Sequence, residues 1–166
     1  MRREKGAGRL VLAVLLLVGS AARADWQYTT QDDKMTGKPT QHAILESNNS
    51  LNLPFPYSGQ NNGRLYIRRH PKSGLNVIVR VDKGQILCSS FDSCSVMVRF
   101  DNAQPIRVPA VGSGDHDSTV IFLENEARFV AAAKKASKIL VQFTMYQAGE
   151  QVLEFHSSKP LEWAGK

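Results

Sequence analysis

The chain has 166 residues, 42% of them apolar and 22% charged, with a formal net charge of +6. That length supports one domain with its own hydrophobic core and calls for no second. The positive balance is concentrated at the start: residues 1–24 hold five of the 21 Lys and Arg and one of the 15 Asp and Glu, leaving 16 against 14, a net +2, from Asp25 onward. The basic pI is therefore largely a property of the leader, and nucleic acid is not an expected partner.

That leader has the pattern of a signal peptide. Arg2, Arg3, Lys5 and Arg9 precede Leu10–Val18, an apolar run too short to span a bilayer, and Ala22-Arg23-Ala24 supplies a small-x-small cleavage pattern. The expected organisation is a signal peptide over 1–24 and one β-rich domain over 25–166, with no membrane span after cleavage. No cysteine follows the apolar run, which argues against a lipid anchor. The expected location is the periplasm, or secretion.

From Asp25 the chain opens with Trp26 and Tyr28 in alternation, an edge-strand pattern, and Gln31–Pro39 follows as a polar turn. Gln41–Ser47 is the next short strand. Asn48–Gly63 is rich in Asn, Pro and Gly and cannot be a central strand. Its Phe55 and Tyr57 argue for order, and leave two readings open: Phe55 plugs one end of the core, or the loop presents it to a partner. Arg64–Arg69 and Asn76–Asp82 alternate cleanly about a His70–Gly74 turn. Gly84–Asp101 then reads as a β-hairpin, its strands Gln85–Cys88 and Cys94–Phe100 flanking a polar tip. A weaker strand follows at Ile106–Val108, then a loop at Val111–Ser118 and a strand at Thr119–Leu123. Glu124–Ser137 is the one predicted helix. Phe129, Val130, Ala133 and Ala136 share a face, Asn125 stands as N-cap, and acidic residues at the start and lysines at the end suit the helix dipole. Lys138–Gln147 is the strongest strand, with Ile139, Val141, Phe143 and Met145 on one face. Gln151–His156 follows, and Leu161 and Trp163 close the chain. Nine or ten short strands and one late helix make a mainly β protein, an antiparallel β-sandwich or open barrel.

Cys88 and Cys94 are the only cysteines. At the two necks of one hairpin in an exported chain they are expected to form a disulfide, which restricts the unfolded chain by about 2–2.5 kcal/mol. Their C-x5-C spacing is not that of a redox dithiol.

Residues that could carry chemistry are sparse. Asp115-His116-Asp117 reads as a surface turn, since no second ligand cluster accompanies it. His42, His70 and His156 stand singly, and no nucleophile elbow, zinc-protease, phosphate-loop or dinucleotide motif is present. No cofactor is expected. The positional feature is a set of arginines: Arg64, Tyr66 and Arg68 share one strand face, Ile78 and Arg80 share a face of the next strand, and Arg99 lies outward on the hairpin. If those strands are neighbours, they form a partly aromatic basic stripe suited to carboxylate or phosphate. The plain alternative is a solvated face paired with local acids. Asn48-Asn49-Ser50 matches the glycosylation pattern, which has meaning only in a eukaryotic source.

Gly84-Gln85, the Cys88/Cys94 pair, Val98-Arg99-Phe100-Asp101, Tyr146-Gln147, Gly149 and Glu154-Phe155 together resemble an uncharacterised family of exported Gram-negative bacterial proteins. The order of elements is also distantly similar to the TagO-type accessory proteins associated with type VI secretion. The resemblance implies a periplasmic location and carries no catalytic motif. The expected function is a non-catalytic periplasmic binding or accessory domain serving an envelope or secretion system, with an unknown protein or envelope partner. The alternatives are an inhibitor or immunity-type protein that blocks an enzyme and, third, a hydrolase. Phe55, Tyr57, Arg64, Tyr66, Arg68, Arg80 and Arg99 are the candidate binding residues.

Overall fold

A computed structural model describes residues 25–89 and 94–164; the leader expected over 1–24 and residues 90–93 of the hairpin tip lie outside the described residues. Nine strands form one antiparallel sheet: β1 (Gln27–Asp32), β2 (Pro39–Ser50), β3 (Asn62–His70), β4 (Gly74–Val81), β5 (Cys94–Phe100), β6 (Ile106–Gly112), β7 (Val120–Leu123), β8 (Lys138–Met145) and β9 (Gly149–His156). Their spatial order is β1-β2-β3-β4-β7-β6-β5-β8-β9. The fold is the mainly β, antiparallel one that the alternating pattern predicts.

Period-two alternation sends one side chain in every two inward. Leu65 and Ile67 of β3, Val77, Val79 and Val81 of β4, Ile139, Val141, Phe143 and Met145 of β8, and Leu153 and Phe155 of β9 are all buried in one core. Each such side chain contributes about 1.5–3 kcal/mol on burial. A flat nine-stranded sheet could not bury this set, and the sheet curls until β2 lies against β9. Side chains complete that seam. Asn49 Nδ2 donates to the Val152 carbonyl at 2.8 Å, while its Oδ1 accepts the Glu154 N–H at 2.8 Å. Asn48 Oδ1 accepts the His156 N–H at 2.6 Å. Asp25 extends the closure by accepting from the Ser158 amide and hydroxyl, both at 2.8 Å. The turn-forming asparagines that mark this segment as a loop in the sequence therefore lie in the end of β2, and act as lateral partners for an edge strand.

The helix is shorter than its pattern. It is α1 (Glu126–Ala133), and Asn125 precedes it at φ 59° with no side-chain cap bond; the Asn125 carbonyl instead accepts from Arg128 and Phe129. At the far end, the Ser137 and Lys138 amides turn aside to Asp101 Oδ1 at 3.0 and 2.8 Å, which starts β8. The predicted buried face is correct: Phe129, Val130, Ala133 and Ala136 are all inside, and Phe129 meets Phe100 edge-on at 5.2 Å.

The hairpin is overturned, although the disulfide is present, with Cα atoms 5.4 Å apart. Both edges of β5 are occupied by β6 and β8, so Gln85–Cys88 does not pair with β5 and makes only an antiparallel bridge, Ile86 to Met145, at the end of β8. It crosses the open end of the barrel as a strap. The Tyr146 amide donates to Gln85 O, Leu87 to Thr144 O, Ile86 to Ser118 O, and Gly112 to Ser89 O. Ile86 is buried beneath it, and the disulfide ties the strap to the start of β5. Phe55 does not plug this end. It is 87% exposed, while Leu51 and Leu53 of the same loop are buried.

Candidate functional site

The outward side chains of β2, β3, β4 and β7 stand in three registered rows. His42, Arg68 and Asn76 form one; Ile44, Tyr66, Ile78 and Phe122 the next; Glu46, Arg64, Arg80 and Val120 the third. The sequence places Arg64, Tyr66, Arg68 and Arg80 on this face, and the pairing makes them neighbours.

The three arginines differ in what satisfies them. Arg64 donates to Glu46 at 3.1 Å and to Asp82 at 2.8 Å, and its pKa rises, first through the Glu46 bond. Arg80 lies 3.5 Å from Asp117, whose carboxyl is held below its ordinary range by the Thr119 hydroxyl and amide and then by Arg80. Arg68 has no carboxylate within ion-pairing distance among the described residues. Its Nε and Nη2 converge on the neutral Oδ1 of Asn76 at 3.1 and 2.8 Å. Its guanidinium sits 5.9 Å from the centre of the Phe122 ring, within cation–π range. Burial lowers its pKa, yet a guanidinium stays charged throughout the physiological range.

Arg68 is also where two cavities meet. One, of about 310 Å³, lies over Tyr66, Ile78, Arg80 and Phe122 and is rimmed by Asp115 and Asp117. The other, of about 460 Å³, is bounded by Asp32 at the end of β1, by Asp33 and Lys34 of the β1–β2 turn and by His70. Both include His42 and Arg68. Burial, then the positive charge of Arg68, then His70, keep the His42 pKa below its ordinary value. His70 Nδ1 accepts the Lys72 and Ser73 amides at 3.2 and 3.4 Å, so its proton resides on Nε2. Among the carboxylates nearby, Asp33 and Asp115 are engaged. Asp33 Oδ1 accepts the Met35 and Thr36 amides and the Thr36 hydroxyl. Asp115 accepts the Ser113 hydroxyl at 2.6 Å and the Asp117 amide at 3.3 Å, as a turn residue does.

The remaining candidates lie elsewhere. Arg99 projects from β5, four strands from β3, and its buried Nε has no hydrogen-bond partner among the described residues. Phe55 and Tyr57 precede the start of β3, at the opposite end of that strand from Arg68, and line neither cavity. Tyr57 packs against the core and its hydroxyl accepts from Gln85 Nε2 at 3.3 Å. Sequence reasoning missed His42, Asn76 and Phe122. His42 alternates with Ile44 and was open to the same reading as the arginines, but Asn76 and Phe122 enter only through cross-strand register.

No protein-family model, curated protein or solved structure matches this chain.

Proposed function

We propose that this chain is a non-catalytic, exported binding domain of the bacterial periplasm, serving an envelope or secretion system, and that it engages its partner through the outer face of β2, β3, β4 and β7. The observation that carries this reading is Arg68: a half-buried, charged guanidinium held by a neutral amide and an aromatic face, at the junction of two cavities. A cation used only for structure is ordinarily paired with a carboxylate, as Arg64 and Arg80 are. The leader pattern and the disulfide support an oxidising, extracytoplasmic setting. Capture from periplasmic extract, with the mature chain as bait, tests the reading. The Arg68→Gln/Arg80→Gln double variant should lose the components that the wild type retains. An identical retained set would place the binding surface elsewhere.

A second reading, an inhibitor that inserts a loop into an enzyme, is favoured by one feature. Phe55 stands 87% exposed on a loop anchored by the Lys83 Nζ bond to Ser58 O at 3.0 Å and the Tyr57–Gln85 bond. Phe55→Ala would then abolish capture while the arginine variants retain it.

A further inference from the structure

We propose that Arg68, His42 and His70 form a binding site for a phosphate- or sulfate-type oxyanion, and that protonation of His42 tightens it. The proposal rests on the reading of the outer face as the binding surface, and it names the chemical group recognised there.

A guanidinium carries five N–H donors, and two of its edges present pairs of them. Asn76 Oδ1 occupies the Nε–Nη2 edge of Arg68. The Nη1–Nη2 edge remains, and two parallel N–H bonds suit two oxygens of one oxyanion. Asn76 is itself fixed, accepting the Ser73 hydroxyl at 3.1 Å, and so acts as a positioning residue. His42 is the registered cross-strand neighbour of Arg68, and His70 lies two residues on, on the same face, with its Nε2–H available. Three donors on adjacent strands around one cavity fit a tetrahedral group better than a planar carboxylate, whose two oxygens the Arg68 edge alone would satisfy.

Charge completes the case. The groups facing His42 are Asp32 from the end of β1, Asp33 and Lys34 from the β1–β2 turn, and Arg68 and His70 from β3; across the second cavity stand Arg80 from β4 and Asp115 and Asp117 from the β6–β7 loop. Lys72 lies close enough to act on Asp33. Carboxylates, lysines and arginines ordinarily titrate outside the range between about pH 5.5 and about pH 8, whereas imidazoles titrate within it. Burial and then the charge of Arg68 disfavour the His42 imidazolium. An anion on Arg68 cancels that repulsion and favours the imidazolium. By reciprocity, the imidazolium favours the anion by the same factor.

Sulfate is the probe, because its charge is constant over this range. Calorimetric titration of the mature protein should give saturable binding with Kd of order 1 mM or tighter near pH 5.5, and about tenfold weaker near pH 8. Arg68→Gln should weaken it at least about tenfold, and His42→Gln should reduce the pH dependence. Asn76→Asp is the variant that guards against misfolding: it gives Arg68 an internal carboxylate, so it should melt no lower than wild type and yet lose sulfate. Co-sedimentation with phosphatidylglycerol vesicles, against phosphatidylcholine controls, assigns the source. Sedimentation competed by sulfate points to a lipid headgroup, and sulfate binding without sedimentation points to a soluble ligand. Absence of saturable sulfate binding, or wild-type affinity in both Arg68→Gln and Asn76→Asp, would overturn the proposal. If partner capture were still lost in the arginine variants, the binding surface would stand and only the oxyanion would fall.

Discussion

Gly63 is the residue through which the packing of this barrel can be tested most sharply. It lies on the inward face of β3, opposite Val81, and its amide donates to Ser47 Oγ at 2.9 Å. A methyl group placed there would stand 2.2 Å from Leu153 Cδ1, 2.6 Å from Cδ2 and 2.9 Å from Cγ. Leu153 has 0% exposure on β9, so it can retreat only by displacing other core side chains. Carbon atoms pack at about 3.5–4.0 Å, so the side chain or the strand must retreat by more than about 1 Å. Overpacking of this kind costs about 1–3 kcal/mol, and a clash with three atoms places Gly63→Ala near 3 kcal/mol. For a domain of this size that lowers Tm by about 10 °C. Leu153→Ala alone should cost about 2–5 kcal/mol for the cavity it leaves. The double variant removes all three clashing atoms and partly refills the cavity, so it should be more stable than the sum of the single effects predicts by about 1–3 kcal/mol. Urea unfolding of the four proteins measures the cycle. Additivity within about 0.5 kcal/mol would mean that β3 and β9 do not meet across the core at these positions, and the curl of the sheet as described would be wrong.

Phe129→Ala removes a ring that is 4% exposed and packed edge-on against Phe100, and should cost about 3–5 kcal/mol by thermal or chemical unfolding. Phe55→Ala, at a ring 87% exposed, should leave the same transition within about 0.5 kcal/mol. Replacing Cys88 and Cys94 together with serine should lower stability by about 2 kcal/mol through the freed strap, and intact mass after alkylation without reductant should show no free thiol in the wild type. His42 has a folded-state pKa below its unfolded value, so the unfolded chain binds the extra proton first: its contribution is intact above about pH 6.5 and is lost as pH falls through the folded value. A Tm that declines from about pH 7 to about pH 5.5, less steeply in His42→Gln and less steeply with sulfate present, is the expected result.

The strands were legible because alternation is local. Val77, Val79 and Val81, or Ile139 through Met145, identify a buried face without any knowledge of what covers it. The errors fall where a local pattern competes with distant partners. Gln85–Cys88 has the composition of a strand, but β6 and β8 already hold both edges of β5, and the segment is left with a single bridge, Ile86 to Met145, beyond the end of the β5–β8 pairing. Asn48 and Asn49 have the composition of a loop, yet their side-chain amides replace a missing row of backbone bonds along β9. The helix pattern runs on to Ser137, but Asp101, distant in sequence, draws off the Ser137 and Lys138 amides. At the candidate site the arginines could be assigned to one face, whereas their inequality could not. Which of them lacks an acid depends on Glu46, Asp82, Asp117 and Asn76 arriving from three other segments.

The asparagine seam also bears on how the protein moves. Eight registered residue pairs join β8 to β9 and four join β4 to β7, but along this line two asparagine side chains join β2 to β9. The wall therefore has a zip. Rotation of the Asn48 and Asn49 side chains releases the Glu154 and His156 amides while leaving every strand pairing intact. Those two amides should exchange with solvent through a local opening, far faster than amides of β8 that must await global unfolding. Leu153 and Phe155, which alternate with those two residues along β9, are both at 0% exposure, so the locally opening amides flank the most deeply buried side chains of that strand.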